Sequence, residues 1–103
     1  MIRHILLIRF TDLAMAEQVA ETLNAFLKIP EYVHGVMNVE CGKNDSREGK
    51  SEKFSHCVLM TFYNETARQE YLSHPENIRL KKIFRPILES IIVFDYTLDA
   101  CTR

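Results

Sequence analysis

The sequence has no long apolar run, no surplus of either charge, no cysteine pair at ligand spacing and only three glycines, none beside another. No purely apolar stretch exceeds four residues, as at 5–8 and 91–94, where a membrane-spanning helix needs about 20. The 13 basic and 14 acidic residues leave a net charge of −1. That removes the basic surplus which phosphate-backbone binding demands, so nucleic acid is not an expected partner. Cys41, Cys57 and Cys101 form an odd set with no CxxC and no His/Cys ligand spacing, which argues against a disulfide framework or a zinc knuckle. The isolated Gly35, Gly42 and Gly49 build no phosphate-cradling loop, and no Ser/His/Asp set or paired carboxylates occur. The apolar stretch after His4 is too short for a secretory signal, so the expected compartment is the reducing cytoplasm.

What is present is one domain over residues 1–103, 47% hydrophobic and 26% charged, in the ordinary range for a globular chain. At this length a domain buries only about 60 to 65% of its unfolded surface, so a chain this apolar gains from further cover. Residues 2–10 are apolar and rich in β-branched and aromatic side chains, a first strand. Thr11-Asp12 supplies a helix-start signal, and Ala16, Val19, Ala20, Leu23, Phe26 and Leu27 follow at helical spacing until Pro30 disfavours helix at Ile29. After Gly35 a short strand runs through Val36, Met37 and Val39 to Gly42. Residues 43–53 carry seven charges and read as a solvated hairpin loop. A third strand covers 54–63, and Asn64 caps a helix through Ala67, Tyr71 and Leu72 that breaks at His74-Pro75. The next helix presents Ile78, Ile83, Phe84, Ile87 and Leu88 on one stripe, with Lys81, Lys82 and Arg85 outside, and Pro86 is expected to kink it or force a local break. Residues 91–98 form the last strand.

The order βαββαβ predicts an α+β, ferredoxin-like fold with a four-stranded antiparallel sheet, strand 3 between strands 1 and 2 and strand 4 outside strand 1. Both helical segments then cover one sheet face, yet both faces are apolar. In strand 1 one parity carries His4, Leu6, Ile8 and Phe10, and the other carries Ile5 and Leu7 between Arg3 and Arg9. Strand 4 carries Ile91 and Val93 on one parity and Ile92, Phe94, Tyr96 and Leu98 on the other. No element remains to cover the second face, which predicts a homodimer packed sheet to sheet. The alternative cover, residues 43–53 as a flap, is too polar to bury.

The strings Ile2-Arg3-His4-Ile5-Leu6-Leu7-Ile8-Arg9-Phe10, Pro30 with Gly35-Val36, Phe54-Ser55-His56, Tyr71-Leu72-Ser73-His74-Pro75 and Val93-Phe94-Asp95-Tyr96 together resemble the stress-responsive A/B barrel (Dabb) family over residues 2–98. The resemblance implies a dimeric α+β barrel. One characterised member is a polyketide cyclase that closes a poly-β-keto chain by aldol condensation without metal or cofactor, in a pocket between sheet and helices. Others are plant proteins linked to stress tolerance. By that resemblance His4, His56 and Tyr71 match pocket residues of the cyclase. Its general base stands two residues after the proline, where this chain has Asn77, an amide that cannot accept a proton at neutral pH.

Four histidines invite a metal hypothesis, but strands 1 and 3 are antiparallel neighbours, so His4 and His56 fall toward opposite ends of the sheet. His34 sits in a turn, and His74 is placed to cap the helix that follows it. No metal site is expected. His4 is the favoured chemical residue: it begins an apolar strand face, with Asp95-Tyr96 finishing strand 4 beside it, where a carboxylate or phenol would orient an imidazole as a base. The same pair would serve equally as a buried structural contact. Two function classes follow. In the first, a small apolar carbonyl compound binds between sheet and helices, walled by Leu6, Ile8, Leu23, Phe26 and Leu27, with His4 accepting a proton, Tyr71 polarising the carbonyl and Asn77 orienting the ligand. In the second, a non-enzymatic stress or assembly protein has a filled barrel. A void of at least ~300 Å³ reaching His4 separates the two.

Overall fold

The computed structural model describes residues 1–98; Cys101 lies outside them. The elements are β1 (Ile2–Phe10), α1 (Ala16–Leu27), α2 (Ile29–Tyr32), β2 (Val36–Lys43), β3 (His56–Phe62), α3 (Glu65–Ser73), α4 (Pro75–Phe84), a 3₁₀ turn (Arg85–Ile87) and β4 (Leu88–Thr97). The sheet order is β2-β3-β1-β4 with every neighbour antiparallel, so the expected ferredoxin-like arrangement holds.

Strand alternation decides which side chains meet the helices. Ile2, His4, Leu6 and Ile8 of β1 are buried, and their cross-strand partners Phe62, Met60 and Val58 on β3 are buried with them. Phe26, Ile29, Val33, Tyr71, Leu80, Phe84 and Ile87 pack down on this row. Each such large side chain contributes about 1.5 to 3 kcal/mol by leaving water. The opposite parity stays uncovered. Phe94 stands opposite Ile5 and Ile92 opposite Leu7, and they remain 60% and 43% exposed.

Three local details differ from the sequence expectations. First, α1 starts at Ala16, not at Thr11-Asp12, because the Thr11 N–H donates to Ile87 O at 2.8 Å and its carbonyl accepts from Ala14 in a turn. The Gln18 side chain accepts instead from the Met15 N–H and closes the helix N-terminus. Second, Pro30 opens the short helix α2, where its missing donor costs nothing. Third, the stripe of α4 is rotated. Asn77, Leu80 and Phe84 are buried and Ile78 is 52% exposed, because the His74 ring accepts the Glu76 N–H at 3.0 Å and sets the helix start. At Pro86 the expected local break, not a kink, is what forms: α4 ends at Phe84, one 3₁₀ turn follows, and Leu88 belongs to β4.

Gly35, which joins α2 to β2, has φ +95°, and a Cβ there would lie 2.7 Å from the Cβ of Ala67. Gly49 has φ +71° with open space around it. Gly35→Ala combines backbone strain with a clash and is expected to cost about 2 kcal/mol or more, whereas Gly49→Ala carries strain alone, about 1 kcal/mol. Urea unfolding of the two variants checks this; equal losses would contradict the close approach to α3.

Candidate functional site

Between the sheet and α3, α4 and α1 lies a cavity of about 280 Å³, with His4, Leu6, Phe26, Tyr71 and Asn77 among its walls. Its polar centre follows from register. His4 is paired with Asp95 across β1 and β4, so both side chains leave the same sheet face, and His4 Nδ1 lies 2.7 Å from Asp95 Oδ1. A carboxylate only accepts, so Nδ1 carries the proton in this bond and Nε2 is the accepting nitrogen of the neutral ring. His4 is 6% exposed, and its ring packs against Phe62 and the edge of Tyr71, with ring centres 5.7 and 6.2 Å away. The second Asp95 oxygen accepts from Arg68 Nη1 at 3.1 Å, and Arg68 also pairs with Glu65. Burial pushes the Tyr71 phenol well above its ordinary value, which keeps it a neutral hydroxyl. Asn77 is buried on α4 and donates through Nδ2 to Leu72 O at 3.2 Å, fastening α4 to the end of α3.

Five of the sequence-proposed residues therefore meet at one cavity: His4, Leu6, Phe26, Tyr71 and Asn77. The other four do not line it. Ile8 is fully buried in the core beyond it, and Leu23 is only partly buried at the core margin. Leu27 is 44% exposed, since it follows the buried Phe26 by a further 100° turn of α1. His56 stands opposite Ile8, four residues along the sheet from the His4 position, and its ring packs on Phe10 at 5.2 Å. Among the described residues no cluster of three His, Cys, Asp or Glu side chains could hold a metal ion. Neither Arg68 nor the cavity-facing Lys81 and Arg85 emerges from sequence; the last two were expected on the outer side of α4.

A larger cavity of about 450 Å³ lies elsewhere, lined by Leu7, Lys43, Phe54, His56, Cys57 and Ile92 under the 44–55 loop. It opens on the uncovered sheet face and holds no carboxylate-oriented base. Burial, with the adjacent Lys43 cation second, holds the His56 imidazole below its ordinary 6.5. The unfolded chain thus takes up this proton first as pH falls, so the stability that neutral His56 contributes is present above pH 6.5 and is lost below it. Lys43→Met is expected to raise the His56 midpoint toward 6.5 in an NMR titration; a midpoint moving down would contradict the assignment of the cation's effect.

Comparison with known proteins agrees with this architecture. Residues 2–98 match the family of the Stress responsive A/B Barrel Domain. Olivetolic acid cyclase of Cannabis sativa is 25% identical over 96 residues, which cover 93% of this chain and 95% of that protein. A crystal structure of an Arabidopsis thaliana protein superposes with a TM-score of 0.89 at 26% identity, covering 94% of each chain. A dimeric ferredoxin-like protein from Thermobifida fusca has a TM-score of 0.80 at 24% identity, covering 94% of this chain and 90% of that one. The match over nearly the whole chain, on a sheet of order β2-β3-β1-β4, means that this protein belongs to the stress-responsive A/B barrel (Dabb) family.

Proposed function

We propose that the protein is a homodimer that binds a small, largely apolar carbonyl compound between sheet and helices and uses His4 to take a proton from it. The observation that carries this reading is His4 at the wall of a mostly apolar cavity, with Asp95 bonded behind it. The imidazole accepts a proton from the carbon next to the carbonyl: the C–H bond breaks, an N–H bond forms at Nε2, and the electron pair passes to the carbonyl oxygen as an enolate. Asp95 stabilises the resulting imidazolium, Tyr71 donates its hydroxyl to the enolate oxygen, and Asn77 orients the ligand. This chemistry needs no cofactor. With Asn77 in place of the cyclase's base, the proton acceptor moves to β1. The cavity of about 280 Å³ sits near the lower end of ordinary ligand sites, roughly 300 Å³, so the ligand is small. That volume falls just under the ~300 Å³ set to separate the two function classes, so the reading rests on His4 and its Asp95 partner and not on volume.

The dimer rests on the second sheet face. Ile5, Leu7, Ile92, Phe94 and Tyr96 form an apolar patch with no helix over it, flanked along β1 by Arg3 and Arg9, and a second copy of the chain covers it. The dimeric T. fusca relative supports the same association. The free thiols of Cys41 and Cys57 fit a reducing cytoplasm; burial raises both, Cys41 to about 11, so they stay protonated and unreactive there.

Two measurements test the proposal. Exchange of the α-protons of nonan-5-one into deuterated buffer, followed by NMR, is expected to accelerate with the wild type and to fall about 10²- to 10⁴-fold with His4→Gln. Equal exchange with both proteins would refute the base. Sedimentation equilibrium is expected to give about twice the 12.1 kDa chain mass, and Phe94→Lys to halve it. A clean monomer at micromolar concentration would refute the association.

A further inference from the structure

The cavity that holds His4 has a second polar feature, at its other end. Asn77, Lys81 and Arg85 follow one another at four-residue intervals, and all three line the cavity. That spacing stacks them along one row of α4 and the turn after it, about 6 Å apart. Asn77 is bonded to the Tyr71-Leu72 end, where His4 lies. Arg85 leads into Leu88, which stands opposite Phe10, at the far end of β1 from His4. The row therefore runs from the base to the distant rim.

Its charge is unbalanced. No Asp or Glu lines the cavity, and among the described residues neither Lys81 nor Arg85 enters an ion pair, although Arg68 and Arg79 on the same pair of helices both do. The C-terminal dipole of α4 accounts for cations in its last turn, but Lys82 serves that purpose from the solvent side, while Lys81 is half-buried against the cavity. Two cations beside apolar walls make a focused positive field, and a guanidinium matches a carboxylate with two parallel hydrogen bonds.

We propose that the ligand of this cavity is an oxo acid whose carboxylate is held by Lys81 and Arg85, with its carbonyl at His4 and Tyr71. This rests on the reading of the cavity as a carbonyl-binding site and names the substrate class. Lys81 and Arg85 stand about 6 and 12 Å along this row from Asn77, which marks the His4 end, and an unbranched apolar chain of medium length spans such a separation past Leu6 and Phe26.

Isothermal titration of the full chain with 5-oxodecanoate and with its methyl ester tests the assignment. The acid is expected to bind at least about tenfold more tightly than the ester. Lys81→Met with Arg85→Met should bring the acid down to the ester's affinity, and Lys81→Glu with Arg85→Glu should make the ester the better ligand. Both pairs lie on partly or fully exposed positions, and circular dichroism confirms folding. Equal binding of acid and ester by the wild type, or an acid preference that survives the double substitution, overturns this inference while the carbonyl site stands. If neither compound binds the folded protein, the carbonyl site falls and this inference with it.

Discussion

Everything in this molecule hangs on the register of β1, the inner strand hydrogen-bonded to both β3 and β4. Its alternation puts Ile2, His4, Leu6 and Ile8 under the helices, and the same pairing sets Asp95 directly beside His4. A shift of one residue against β4 would send Asp95 to the open face and leave the imidazole without its partner. A slip of β1 in place of β4 would instead turn His4 outward and drive Arg3 and Arg9 into the core. Core packing and the polar centre of the site therefore select the same register, and neither can be altered without the other.

From that register the two sides of the sheet acquire different roles. One side is closed by helices, but not completely: Phe26 and Phe84 meet at 5.6 Å on one side of the gap and Tyr71 stands on another, leaving a half-open space beside His4. Arg68 behind Asp95 prevents that carboxylate from being a lone half-buried charge, which stabilises the arrangement. The other side is left largely apolar and open, and it is the face that the proposed dimer covers. In this reading each protomer contributes one binding cavity, while the shared face supplies the stability that a chain of 103 residues has difficulty reaching alone.

The strands were legible in the sequence because a period of two is short and leaves little freedom of phase, which gives the parity of His4, Leu6 and Ile8; the order of the sheet, and with it the nearness of His4 to Asp95, follows from the βαββαβ succession. Helix phase was harder to read. The stripe on α4 was placed one position off, because Ile78 and Ile83 suggested an apolar face that the His74 cap rotates away. The same phase hides that half-buried Lys81 and exposed Arg85 both border the cavity. Leu27 was assigned to the cavity for a similar reason, since at the end of α1 the apolar pattern runs wider than the buried face. Arg68 could not be found from spacing at all; its role depends on where β4 ends relative to α3, a contact between distant parts of the chain. The residue with an unexpected place in the fold is Asn77, which the structure uses to tie two helices together at the edge of the cavity.

The central claim is that the smaller cavity, and not the larger one on the open sheet face, receives the ligand. Isotope-filtered NMR of labelled protein with unlabelled nonan-5-one distinguishes them directly, because the two cavities share no wall residue. Intermolecular Overhauser contacts to the rings of His4, Tyr71 and Phe26 are the predicted result. Contacts confined to Leu7, Phe54 and Ile92 would contradict it.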